Sequence, residues 1–142
     1  MKIGQILPVA LIVARIVTAL LFATHAVVRI ANGTIPRFGV FMETLGFPNG
    51  TATVWVITIT ELVAATMIVT GFAVRYAAGA LFCIALGGIL LIHRNFGWFV
   101  GEHGTGGSEY SVALIALLAV IAASDFDKAL TNKNENVREQ ES

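Results

Sequence analysis

The chain has 142 residues, 56% hydrophobic and 13% charged, and its nine basic and nine acidic side chains cancel to zero net charge. A soluble domain carries about a quarter charged residues, so this composition, with a mean hydropathy of +0.81, excludes an ordinary water-soluble fold and points to an integral membrane protein. The charge balance offers nothing to a nucleic acid, and the single cysteine, Cys83, excludes an internal disulfide or a CxxC redox pair.

A membrane-crossing helix needs about 20 mostly apolar residues. The opening stretch, MKIGQILPVALIVARIV, has a lysine before an apolar run, as a signal peptide does. The run is too long, Arg15 interrupts it, and no small-x-small cleavage site follows cleanly. It is a retained first helix, crossing from Pro8 to Ala31. Along it Arg15, Thr18, Phe22, His25 and Arg29 recur every three or four residues and therefore share one face. That stripe is expected to line the interior of a bundle. In the alternative arrangement Arg15 and Arg29 snorkel to opposite interfaces.

Residues 32–50 then supply PRFGVFMETLGFP. Pro36 suits a first helical turn, and Phe38, Phe41, Met42 and Leu45 fall on one face. A short interfacial helix follows from that pattern, ended by Gly46 and Pro48. The second crossing helix runs from Thr51 to Gly71 and carries Glu61, with Thr58 one turn earlier on the same face. A charge at the centre of a spanning helix costs about 2.5–3.5 kcal/mol, against about 0.3–0.6 gained per large apolar residue. Glu61 therefore needs a partner. Measured from the ends of their helices, Glu61 and Arg15 lie about 15 and 10 Å deep at 1.5 Å per residue. An Arg15–Glu61 pair is within reach of an arginine side chain. Such a pair either fixes helix packing alone or also holds a polar ligand or relays a proton.

A tight turn around Gly71 to Arg75 makes the second and third helices an antiparallel hairpin. The third runs from Val74 to Phe96. On it Cys83 reads as a small packing residue, and Gly79, Gly87 and Gly88 as points of close helix approach. The glycine- and aromatic-rich connection NFGWFVGEHGTGGSEY follows. Its GTGGSE has no preceding strand and no GK[ST], so it is not a phosphate loop. Trp55 and Trp98 are placed as interfacial anchors. His25, His93, His103 and Glu109 could converge at this end of the bundle, but their spacings match no metal motif. No metal site is assigned. A hydrogen-bonded cluster near a headgroup-level ligand, or plain interface residues, are the readings left. The fourth helix spans Ser108 to Ser124.

The expected fold is thus all-α, a four-transmembrane-helix bundle with a short amphipathic helix between helices one and two. It has one transmembrane domain, 1–124, and a polar tail, 125–142, expected to be a solvated helix end fading into disorder. An even number of spans puts both termini on one side. That side holds Lys2, Arg75, Lys128, Lys133 and Arg138, the other Arg29, Arg37 and Arg94, so the positive-inside rule favours cytoplasmic termini.

The motifs ARIVTALLFATHAVVRI, LGFP, TELVAATMIVTGFAVRYAAGAL and GGSEYSVALIALLAVIA together resemble the DoxX family of small four-helix bacterial and archaeal membrane proteins, over roughly Ala14 to Ala123. The family's early arginine corresponds to Arg15, its G-or-H position to His25, and its helix-two glutamate to Glu61. The usual glycine after that glutamate is Ala64 or Ala65 here. The G-x-x-x-R turn is Gly71 to Arg75, and the E-Y pair is Glu109–Tyr110. Arg29 stands where many relatives have a lysine. The resemblance implies a subunit or membrane partner of a quinone-linked oxidoreductase in a bacterial or archaeal cytoplasmic membrane. Its candidate ligand-binding residues are Arg15, His25, Arg29, Glu61, His93 and Glu109, with quinone as the candidate ligand and no cofactor bound by the chain alone. No catalytic residue is assigned. Expected partners are membrane lipid and another membrane or redox protein, or a second copy. The alternative is a non-catalytic scaffold or assembly subunit of a larger complex.

Overall fold

A computed structural model describes residues 6–99 and 107–140. Five α-helices follow one another: α1 (Ile6–Ala31), α2 (Ile35–Thr44), α3 (Gly50–Thr70), α4 (Val74–Leu91) and α5 (Glu109–Gln140), with a 3-10 turn at His93–Phe96 after α4. No strand occurs among the described residues. Four helices are long and apolar enough to cross a membrane: α1, α3, α4 and the first part of α5, Glu109–Asp127. The short α2 is the amphipathic helix expected between the first two spans. Large apolar side chains such as Leu7, Leu20, Val56 and Val63 point outward, as they must when the surrounding solvent is lipid.

Four antiparallel spans put the start of α1 and the far part of α5 at the same end of the bundle. There Arg15 Nη2 donates to the Ile68 carbonyl near the end of α3 (2.8 Å), and the Arg75 backbone N–H donates to Asp125 on α5 (3.3 Å). The Arg75 guanidinium also lies over the rings of Tyr76 and Phe126. α3 stops at Gly71, whose φ of 83° closes the helix with bonds from Gly71 and Phe72 N–H to the Met67 carbonyl. Arg15 thus places positive charge at a helix C-terminus, where the dipole favours it.

The half nearest this end is solid. Ile68, Val74, Leu81, Leu118 and Ile121 are all at most 1% exposed and pack as one cluster with Ala64, Ala65, Ala77 and Ala78. At the opposite end the bundle is capped by α2. Ile35 and Met42 pack against Val54, with Phe38, Ile57 and Leu91 around them. Phe41 and Leu45, expected on the same face, stay exposed.

α2 meets α3 through two glycines. A Cβ on Gly39 would stand 2.5–2.7 Å from Thr51, and one on Gly50 would overlap the Gly39 carbonyl. The Gly50 N–H donates to the Glu43 carboxylate (3.0 Å) and Ala52 N–H to Asn49 Oδ1 (3.2 Å). These acceptors satisfy N–H groups that the start of α3 otherwise leaves open.

Two expectations are corrected. α4 ends at Leu91, not Phe96: Ile92 leaves helical geometry, and the chain folds back so that the His93 ring covers Gly88 at 3.6 Å from where its Cβ would be. Only Gly88 of the α4 glycines is approached, by that ring and not by another helix; Gly79 and Gly87 face open space. The polar stretch after Ser124, expected as a solvated helix end, continues α5 to Gln140. It contains no proline or glycine to stop it, and its Lys, Glu, Arg, Ala and Leu residues favour helix.

The glycine crossing yields a prediction. Gly50→Ala or Gly39→Ala will lower thermal stability in lipid nanodiscs by about 1–3 kcal/mol, the usual cost of forcing a methyl into a filled contact. Gly79→Ala, adding its methyl to open space inside a helix, will be neutral or stabilising by up to about 1 kcal/mol.

Candidate functional site

The polar stripe of α1 faces inward in part: Arg15 is half-buried and His25 is exposed. Thr18, Phe22 and Arg29 are buried. The partner of Glu61, however, is Arg29 and not Arg15. Arg29 Nη1 donates to Glu61 Oε2 at 2.8 Å and to Thr58 Oγ1 at 2.7 Å, and Nη2 reaches Glu61 Oε1 at 3.4 Å. Arg29 is 8% exposed and Glu61 2%, so neither snorkels to water. The Thr58 hydroxyl donates to the Val54 carbonyl (2.8 Å), which leaves its lone pairs turned to the guanidinium.

The correction has a geometric cause. Arg15 is nine residues into α1, yet it meets Ile68, two residues from the end of α3. α1 is therefore shifted along α3 by roughly 10 Å at 1.5 Å per residue. Arg29, fourteen residues beyond Arg15, then comes about level with Val54, and its long side chain covers the remaining distance to Thr58 and Glu61. Helix ends are not a common ruler for depth. α2 then roofs the arginine, with Phe38 under its Cζ at 5.6 Å from the ring centroid, and the Thr34 hydroxyl holds the Arg29 carbonyl (3.2 Å).

Beside this pair the α2 half of the bundle is hollow. A cavity of about 540 Å³ is bounded by α1, α2, α3, α4, α5 and the 3-10 turn. Its wall is mainly apolar, with Phe22, Phe38, Met42, Ile57 and Leu114 prominent. The polar groups reaching it are Arg29, Glu61, His25, His93, Tyr110, Ser111 and Thr53. The void exists because α4 presents Cys83, Ala85, Gly87 and Gly88, with Gly107 just before α5 and Ser111 in its first turn, where the other half has leucine and isoleucine. Cys83 is exposed and lines the cavity, and so is not the packing residue expected of it.

Of the six candidate residues, the structure brings four to this cavity: His25, Arg29, Glu61 and His93. Arg15 is at the other end of the bundle, capping α3. Glu109 opens α5 and is outside the lining, although Tyr110 and Ser111 after it belong to it. His103 lies outside the described residues. No group of three or more metal-ligating side chains occurs among the described residues. Burial, and then the neighbouring His25, push the His93 imidazole below the usual histidine range. It stays neutral at pH 7, with one nitrogen to donate and one to accept.

Thr58, Phe38, Tyr110 and Ser111 were not singled out as site residues from sequence. Thr58 had a usable signal, one turn from Glu61. Phe38 and Met42 had one too, four apart on α2, but an amphipathic face reads equally well as lying in the interface.

A buried ion pair is costly to break and cheap to remove whole. Arg29→Leu or Glu61→Leu alone will each destabilise the protein by about 3–5 kcal/mol, whereas the double leucine variant will unfold near the wild-type temperature. Arg15→Leu, which leaves no buried charge unpaired, will cost less than either single change. Thermal unfolding in nanodiscs measures all four.

No curated protein and no solved structure matches this chain. The sequence pattern of the DoxX family matches residues 10–94, from α1 into the 3-10 turn and across every residue of the Arg29–Glu61–Thr58 group. With four spanning helices, an amphipathic α2 and that match over more than half its length, the chain is a multi-pass membrane protein belonging to the DoxX family.

Proposed function

We propose that the protein is the membrane subunit or partner of a quinone-linked oxidoreductase, and that its cavity receives the quinone headgroup. The observation that carries this reading is the position of the Arg29–Glu61 pair: it borders a largely apolar void instead of being packed shut. Ligand sites are mostly apolar hollows with a few convergent polar groups. The pair is neutral as a whole, which suits an uncharged headgroup. Arg29, Tyr110, Ser111 and a neutral His93 offer donors to carbonyl oxygens. Redox equivalents come from the partner enzyme. The setting is a bacterial or archaeal cytoplasmic membrane with both termini on the cytoplasmic side.

A non-catalytic scaffold is the second reading. It is favoured by the way one side chain, Arg29, ties α1 to α3 through Thr58 and Glu61 and to α2 through Phe38. In that case the pair only fixes packing.

The Arg29→Gln, Glu61→Gln double variant separates the two, since it leaves no unpaired charge. Titrated with decyl-tailed ubiquinone in nanodiscs, it will bind on the order of 10- to 100-fold more weakly than wild type, as expected for losing one hydrogen bond to a charged donor. Equal binding, or no saturable binding by wild type, would reject the quinone site.

A further inference from the structure

Resting on that headgroup reading, we propose that the ligand is a single-tailed amphiphile that enters from the bilayer between α3 and α4. Its tail stays in the seam of those two helices. The cavity is only partly enclosed. Cys83 lines it and is exposed, and it stands at the middle of α4, nine residues from Val74 and eight from Leu91. An opening at mid-helix faces hydrocarbon, not water.

A second hollow, of about 280 Å³, begins where the cavity leaves off. On α3 the cavity wall includes Thr53 and Ile57, and the hollow continues with Thr60, Ala64 and Met67. Those five positions follow the four-and-three steps of one helical row. On α4 the cavity wall includes Leu91, Gly87 and Cys83, and the hollow continues with Ala80, Ala77 and Tyr76. Thr60 is one turn past Ile57, and Ala80 one turn before Cys83. The two hollows are therefore consecutive stretches of a single track.

The chemistry changes along that track. Its inner end holds the ion pair, two histidines and the Tyr110 and Ser111 hydroxyls. Its outer end has no charged residue, and Ile59, Val63 and Met67 form its wall with small Ala77 and Ala80 as its floor. From Cys83 to Tyr76 it runs about 10 Å at 1.5 Å per residue. Polar groups at one end and an apolar groove at the other are the inverse image of an amphiphile. A water-soluble ligand would leave the groove without an occupant.

The test uses the full chain in lipid nanodiscs and a benzoquinone whose decyl-length tail ends in a diazirine. After photolysis, adducts should concentrate on 60–67 and 76–80, and should fall several-fold with excess non-photoactive decyl-tailed quinone. Adducts spread evenly over the outward faces of α1 and α5, or adducts that the competitor does not reduce, would overturn the track. Ala80→Trp, which fills the groove, should weaken binding of the decyl-tailed quinone several-fold while sparing tailless tetramethylbenzoquinone; equal affinity for the tailed ligand would count against the proposal. The same photoactive tail on a glycerol headgroup separates this proposal from the quinone reading. Competed seam adducts with the glycerol probe alone would leave the track standing and reject quinone as its ligand; competed adducts with neither would reject the track. Oxidised dimers joined through Cys83 that abolish seam labelling would assign the seam to a second copy of the chain, and so overturn it.

Discussion

The Arg29–Glu61 ion pair sets the terms for the rest of the bundle. Each charge alone would resist burial by several kcal/mol, and lipid offers neither of them a counter-charge. Once Glu61 is placed near the middle of α3, some basic group must come to it, and the surroundings must supply further hydrogen bonds. Thr58 does so from the same helix. Meeting this condition fixes the longitudinal shift of α1 against α3. It also requires a roof over the arginine, since α1 ends two residues beyond it. α2 is that roof, pressed close by the Gly39–Gly50 crossing and tied by the Glu43 carboxylate to the start of α3.

The consequence is a bundle with two unlike halves. In one, bulky aliphatic side chains from α3, α4 and α5 fill the centre and Arg15 closes the end of α3. In the other, small residues on α4 and at the start of α5 leave space beside the charges. The first half can hold helix geometry by itself, because its packing does not depend on what sits in the cavity. The second is free to differ in content, since its walls are held by α2, the ion pair and the backbone bonds from Ser108 and Glu109 N–H to the Gly97 and Trp98 carbonyls.

Much of this could be read from residue order. The four spans, α2 and the inward-facing stripe of α1 follow from apolar run length and from three- and four-residue spacing, which report strong and local physics. The partner of Glu61 did not follow, because depth counted from helix ends assumes ends that align, and alignment is a tertiary property. Arg29 looked like an interfacial residue for the same reason: its cover, α2, is contributed by the next stretch of chain. The end of α4 was overrun because Ile92, His93 and Phe96 continue an apolar pattern, while the fold-back of His93 onto Gly88 depends on a glycine that sequence alone cannot assign to a ring contact. The cavity was invisible for a related reason. Glycine and alanine on a spanning helix signal close helix approach as readily as empty space.

The wall of the cavity makes two different demands on whatever sits beside it. A hollow that is only partly enclosed carries no penalty of the kind paid for a sealed void in a core, because its surroundings can enter it. Water, a lipid chain or a ligand can each reach its wall. Water could satisfy the ion pair and the histidines, but it would wet Phe22, Phe38, Ile57 and Leu114 at some cost. A plain acyl chain could cover those residues, but it would turn its back on Arg29 and Glu61. An occupant that is polar at one end and apolar along the rest meets both demands at once. That is the ground on which the proposed ligand is preferred to a purely structural role, even though the ion pair would be needed for folding in either case.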